Sequence, residues 1–262
     1  MNFDLTEEQQ LLADTTREVL TRSYDTESRN KAIEYDLGWS REVWSQLAEI
    51  GILGLGFDPD ESGPTEVMVV MTEMGRRLAP EPVAAAALLP GAVIAAHGSA
   101  EQRALLDDVA AGERLLAFAH TEPGRRGVTE LSTSAAREGD SWTLTGRKHP
   151  VLAGDSADVL VVTAALPGGG AGLFLVDGEA TARHPFRTFD GQRGADIELT
   201  SAPAQPLGAG GDASAGIEAA VIRFQSALCA EAVGAMDESL RLTTDYLKSR
   251  KQFGVPLKTF QT

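Results

Sequence analysis

The sequence predicts an α+β multidomain chain in three parts: an N-terminal all-α domain over residues 1–113, a central, mostly antiparallel β-barrel or sandwich domain over 114–211, and the start of a C-terminal helical bundle over 212–262. Three observations predict this order. Apolar residues recur at helical spacing as far as Val109, strand-length apolar runs joined by a hairpin signal fill the middle, and helical spacing returns from Ile217 onward.

The helical part is punctuated by its own start and stop signals. Thr6-Glu-Glu-Gln9 has the form of a capping box, in which the threonine hydroxyl and the glutamine side chain satisfy backbone N–H groups reciprocally. Leu11, Leu12, Val19 and Leu20 follow at helical spacing. Ser40 opens a second helix, with Val43, Trp44 and Leu47 on one side and Gly51 as its stop. Pro64-Thr65 opens a third, whose apolar stripe is Val67, Val70, Met71, Met74 and Leu78. Ser99-Ala-Glu-Gln102 is another capping box, ahead of Leu105, Leu106 and Val109.

Strands take over at Leu115–Ala119. Leu131–Arg137 and Trp142–Arg147 are expected to pair across Glu138-Gly-Asp140. Val159–Ala165 and Leu173–Val176 are two further apolar strands, and Ala195–Thr200 alternates with Ile197 and Leu199 inward. Ser201–Gly211, rich in Pro, Gly and Ala, is expected to be a linker. The last helix carries Ile217, Val221, Phe224, Leu228, Leu240 and Leu247, an apolar face that needs partners, so the chain is expected to be cut or to rely on another chain.

Composition narrows the function. Apolar residues make up 43% of 262, enough for a real core. A formal net charge of -15 argues against a nucleic-acid binder, which needs a basic face. The single cysteine, Cys229, excludes a disulfide framework, and the four scattered histidines lack metal-ligand spacing, so no metal site is expected. Met1-Asn-Phe-Asp4 has no signal-peptide form, and the apolar stretch Val83–Ala96 is too short to span a bilayer; a cytoplasmic location without a membrane is expected.

Three motifs carry a resemblance. Glu73-Met-Gly-Arg76 is followed by Pro80-Glu-Pro82 in the helical part. Thr121-Glu-Pro123 follows an apolar strand and precedes Leu131-Ser-Thr-Ser-Ala135 and Leu144-Thr-Gly-Arg-Lys148. Arg250-Lys-Gln-Phe-Gly254 with Val255-Pro256 and Phe260-Gln261 closes the chain, preceded by Ala230-Glu-Ala-Val-Gly-Ala-Met236. Together they resemble the acyl-CoA dehydrogenase family over essentially the whole chain, and most closely the members acting on bulky or dicarboxylic acyl-CoAs, including smaller or divergent subunits.

The resemblance implies FAD as cofactor, an acyl-CoA as substrate, an electron-transfer flavoprotein as electron acceptor, and a role in fatty-acid or steroid side-chain β-oxidation. A glutamate takes the α proton and the flavin takes the β hydride. By motif match Arg250 holds the FAD pyrophosphate of a neighbouring subunit, Phe253 packs on the cofactor, Gln261 hydrogen-bonds it, and Thr121 faces the flavin ring. A homo- or hetero-oligomer, typically a tetramer, follows from a cofactor shared between subunits.

The chain departs from the family pattern in places. Gly124-Arg-Arg-Gly-Val-Thr129 lacks the serine that touches flavin and substrate. Pro150 stands at a tryptophan position, and Leu152 at a position that usually carries a hydroxyl. Most members carry the base beyond Thr262; a minority carry it near Phe224, and Glu231, about two turns further along that helix, is the nearest candidate. Three alternatives stand: a dehydrogenase subunit needing further C-terminal sequence, a degenerate partner completing a neighbour's FAD site, or a non-enzymatic interaction fragment.

Overall fold

The computed structural model describes residues 4–124 and 130–260. Seven helices come first: α1 (Glu7–Ser23), α2 (Thr26–Ala32), α3 (Arg41–Glu49), α4 (Pro64–Arg77), α5 (Leu89–His97), α6 (Ala100–Arg103) and α7 (Leu105–Ala110). The capping boxes at Thr6 and Ser99 form as the sequence predicts. Gly51 follows α3 with φ 78°, a conformation that favours glycine. The short α2 was not legible from apolar spacing; Asp25 caps it through the Ser28 amide at 2.8 Å.

Seven strands follow: β1 (Leu116–Ala119), β2 (Ser134–Glu138), β3 (Ser141–Leu152), β4 (Val159–Ala165), β5 (Ala171–Asp177), β6 (Ala182–Arg187) and β7 (Arg193–Pro206). The sheet runs β1-β4-β2-β3-β7-β5, and β5 also pairs with β4, which closes the sheet into a barrel, with β6 added outside β7. Most pairings are antiparallel, while β1 and β2 pair in parallel with β4. The hairpin turn lies at the expected Glu138-Gly-Asp140, where Glu138 faces Ser141.

Two expectations need correction. Ser201–Gly211 is not all linker: β7 continues to Pro206, because its small residues Ala202 and Ala204 pair with Leu144 and Trp142. The strand expected from Leu131 begins only at Ser134, because the amides of Ser132 and Thr133 are taken by a carboxylate, that of Glu122. β6, with its half-exposed and polar positions, gave no apolar signal.

Helix α8 (Ser214–Ser249) spans 36 residues and is followed by a small hairpin of β8 (Lys251–Gln252) and β9 (Val255–Pro256). By length and composition alone α8 could cross a bilayer, with a mean hydropathy of 1.2 over an 18-residue window, whereas the apolar helix over Ala84–His97 is shorter. In the fold, α8 packs on α4. The seam is built on two glycines: a Cβ on Gly75 would lie 1.9 Å from the Glu231 carbonyl oxygen, and one on Gly234 1.9 Å from the Thr72 carbonyl oxygen. The Glu73-x-Gly-Arg segment thereby gains a physical meaning. Buried Glu73 accepts from Arg17 Nη2 and Nε, at 2.8 and 2.9 Å, and Arg76 reaches across the seam to Asp237 at 2.8 Å. Gly75→Ala or Gly234→Ala is expected to force the helices apart and lower stability by about 1–3 kcal/mol, measured by urea denaturation. A change under a few tenths would contradict the packing described.

Two apolar cores result. One fills the barrel around Leu144, Leu160, Phe174 and Ile197. The other lies between the helices, the outer face of β1 and β4, and the first half of α8.

Candidate functional site

Alternation along β1 creates the site. Ala117 and Ala119 point into the barrel core, while Phe118 and its neighbour on the next strand, Val161, meet the helical core. His120 continues the Phe118 face, its ring stacked on Phe118 with centroids 5.5 Å apart. Between this face and the helices lies a cleft of about 460 Å³. Thr121 and Glu122 line it from the turn after β1, Pro150 and Leu152 from the end of β3, and Ala85 and Leu89 from the helical layer. α8 contributes Val221, Phe224 and Gln225, neighbours on one helix face.

A buried ion pair holds the turn in place. Lys148 Nζ donates to Glu122 at 2.7 Å, to the His120 carbonyl at 3.2 Å and to Thr163 Oγ1 at 3.1 Å, which uses all three of its donors. Glu122 also accepts from the amides of Ser132 at 2.6 Å and Thr133 at 2.9 Å. Burial opposes the Glu122 charge, but the bonds from Lys148, Ser132 and Thr133 outweigh it and hold the carboxyl well below the usual range. Burial draws Lys148 down to about 8 against the pull of Glu122, so it remains an ammonium at neutral pH. The Thr121 carbonyl is fixed in turn by the His149 amide at 2.8 Å.

Neither Glu122 nor Lys148 received a role from the sequence, although a signal existed. Trp142, Leu144, Gly146 and Lys148 share one strand face, and a lysine on a buried face requires a carboxylate. Glu122, beside the end of an apolar strand, is that carboxylate.

The expected site residues fall into separate places. Thr121 is in the cleft. Glu231 is not among the cleft-lining residues: its backbone meets Gly75, and its carboxyl is raised by burial and by the charge of Asp190. Arg250 caps the far end of α8, and Phe253 is 93% exposed, with an edge contact to Phe260. Phe224 and Arg250 are separated by 26 positions, or roughly 39 Å along the helix axis. Gln261 and Thr129 lie outside the described residues. The cleft and the Arg250 end therefore do not meet on one chain.

A helical layer, a closed β-barrel and a long returning helix around an apolar cleft define a class of three-part proteins with the site at the junction of their layers. Residues 6–113 match the model of the acyl-CoA dehydrogenase N-terminal domain. The chain is 32% identical over 282 residues to acyl-CoA dehydrogenase FadE28 of Mycobacterium tuberculosis, covering 100% of this chain and 70% of that one. Its fold is similar to the Tcur3481–Tcur3483 steroid ACAD (G363A variant), with a TM-score of 0.87 and 32% identity over 97% of this chain and 70% of that chain. It is similar also to the ChsE4–ChsE5 complex of M. tuberculosis, with a TM-score of 0.85 and 26% identity over 100% of this chain and 72% of that chain. The chain belongs to the acyl-CoA dehydrogenase family.

Proposed function

We propose that this chain is one subunit of a FAD-dependent acyl-CoA dehydrogenase whose flavin site is completed between neighbouring subunits. The observation that carries this reading is the roughly 39 Å between the cleft-facing part of α8 and Arg250. Arg250 is too far away to serve the ring end of its own cleft, so it serves a neighbour's. Similarity to two complexes of paired subunits supports a related dehydrogenase subunit as that neighbour. The exposed apolar residues Met236, Leu240, Leu242 and Tyr246 on α8 give the neighbour a surface.

The cleft fits a flat ring. Phe118, Leu131, Leu152 and Phe224 form apolar walls, and Thr121, His120 and Gln225 supply a few polar groups, the usual composition of a cofactor pocket. When bound, FAD supplies the hydride acceptor for oxidising the Cα–Cβ bond of an acyl thioester. This chain's residues do the holding: Thr121 faces the ring, the apolar walls exclude water, and Arg250 offers a fork of donors to phosphate oxygens. Glu122 is not the base, because hydrogen bonds from Lys148, Ser132 and Thr133 fix it as an anion of very low basicity. The reading of a degenerate partner, which lends Arg250 without performing chemistry itself, is favoured by one observation: Pro150 and Leu152 put no hydroxyl on the β3 wall of the cleft. The electron-transfer flavoprotein acceptor, the cytoplasmic location and the acyl class remain part of this proposal.

The test is the absorbance spectrum in the flavin window and the mass by light scattering, for the chain alone and with a related dehydrogenase subunit. Flavin bound only in the mixed oligomer is the expected result. Arg250→Ala is expected to weaken flavin binding there about 10–100-fold, the cost of a charge-assisted phosphate contact. Flavin held by a monomer, indifferent to Arg250, would overturn the shared site.

A further inference from the structure

The chain of hydrogen bonds behind the cleft decides which nitrogen of His120 carries its proton. Thr163 Oγ1 receives a hydrogen from Lys148 Nζ at 3.1 Å and retains one hydroxyl hydrogen to give. Thr163 is fully buried, and its other side-chain neighbour among the described residues is His120 Nδ1, also at 3.1 Å. Nδ1 can accept that hydrogen only if it is unprotonated. The order that satisfies every group is therefore Lys148 to Thr163 to His120 Nδ1, which leaves the ring hydrogen on Nε2. The opposite tautomer would aim two donors at one oxygen and strand a buried hydroxyl hydrogen, a cost the first arrangement avoids.

Two further facts concern what Nε2 does. The His120 side chain lines the cleft beside Phe118, and Nε2 makes no hydrogen bond to a described residue. The imidazole is also kept neutral. Burial, and then the Lys148 ammonium, draw it down to about 4, with Glu122 opposing them; Glu130, on the cleft rim, is the other charged group lining the cleft. The adjoining β3 wall offers Pro150 and Leu152, which have no side-chain donor.

We propose that His120 is a ligand-binding residue of the cleft, where it donates a hydrogen bond from a neutral Nε2–H to a carbonyl-type oxygen of the bound molecule. The proposal rests on the dehydrogenase reading only for what that molecule is; the tautomer and the free donor belong to this chain alone. Two carbonyl sources suit the chemistry, the edge of a flavin ring and the thioester of an acyl-CoA. The donor makes up for hydroxyl groups that the β3 wall lacks, and the ion pair behind it fixes its tautomer as well as its position.

The test is nitrogen-15 NMR of the histidine rings in the protein, with its partner subunit present. Without ligand, His120 should carry its hydrogen on Nε2 and keep that form from pH 8 down to pH 5, and Thr163→Val should release the preference. A hydrogen on Nδ1, or protonation near pH 6, would overturn the proposal. FAD and butyryl-CoA are then added separately. A shift of Nε2–H with FAD assigns the flavin as acceptor, and a shift with butyryl-CoA alone assigns the thioester. His120→Leu should weaken binding of that molecule about tenfold, and His120→Gln, which keeps an N–H at similar reach, should restore most of it. FAD bound at full strength with no Nε2 shift from either molecule would sink the His120 donor and leave the dehydrogenase reading intact. Failure of both molecules to bind would sink both. If His120→Leu fails to fold, the ligand-induced shift in the unaltered protein decides.

Discussion

Lys148→Met is expected to lower the stability of the folded chain by about 3–5 kcal/mol, the usual result of removing one partner from a buried ion pair. Lys148 is fully buried and Glu122 3% exposed. Methionine fills much of the lysine volume, so the loss comes from charge. Glu122 would keep the Ser132 and Thr133 amides but lose the Lys148 ammonium, and Thr163 Oγ1 and the His120 carbonyl would each lose a donor. The cost should fall when the carboxylate is neutralised as well, so Glu122→Gln with Lys148→Met should be more stable than Lys148→Met alone. Urea denaturation of the three variants measures this as a cycle. A single-variant loss below about 1 kcal/mol, or a double variant no better than the single, would mean that losing the Lys148 charge does not carry the cost. The turn carrying Thr121 is tied to the same pair, so flavin binding is expected to fall in parallel with stability.

Glu81 should give the chain a pH-dependent stability of roughly 3 kcal/mol. It stands between Pro80 and Pro82 in the chain, where Oε1 accepts from the Tyr24 hydroxyl and from the Ser40 amide at 3.2 Å, and Oε2 has no partner among the described residues. Burial raises the carboxyl from 4.5 to about 7, against the two hydrogen bonds. The folded state therefore binds a proton that the unfolded chain releases above about 4.5. The contribution is complete below that pH and is lost as pH rises through about 7. Glu81→Gln removes the titration. The variant should gain on the parent protein between pH 4.5 and pH 8, and the gap should be flat outside that window. Denaturation midpoints at pH 5 and pH 8 decide the matter, and parallel pH profiles would rule out Glu81 as the source. Glu122, depressed far below its usual range, acts in the opposite direction and at much lower pH, so the two contributions separate.

Much of this was legible one residue at a time. Thr6 and Ser99 cap helices through contacts three residues along the chain, and Glu138-Gly-Asp140 turns a hairpin through adjacent ones. Such local chemistry can be read without neighbours in space. β7 beyond Thr200 could not, because Ala202 and Pro206 form strand only through Leu144 and Phe174. The site behaves the same way. Thr121 was legible as a turn residue after an apolar strand and Arg250 as part of a motif, but nothing local tells that they lie at different ends of the molecule.

By itself, then, the sequence determined the order of helical, β and helical parts, the main caps and turns, and the family resemblance carried by its motifs, because each depends on residues close together along the chain. The tertiary structure decided what depends on distance in space. It paired Lys148 with Glu122, set Gly75 against Glu231 and Gly234 against Thr72, removed Glu231 from the cleft, and brought Thr163 beside His120. The physical reason is the cost of burying charge and polar groups. Lys148, Glu122 and Thr163 are tolerable inside only as a connected set, and that set exists only once β1, β3 and β4 are folded together.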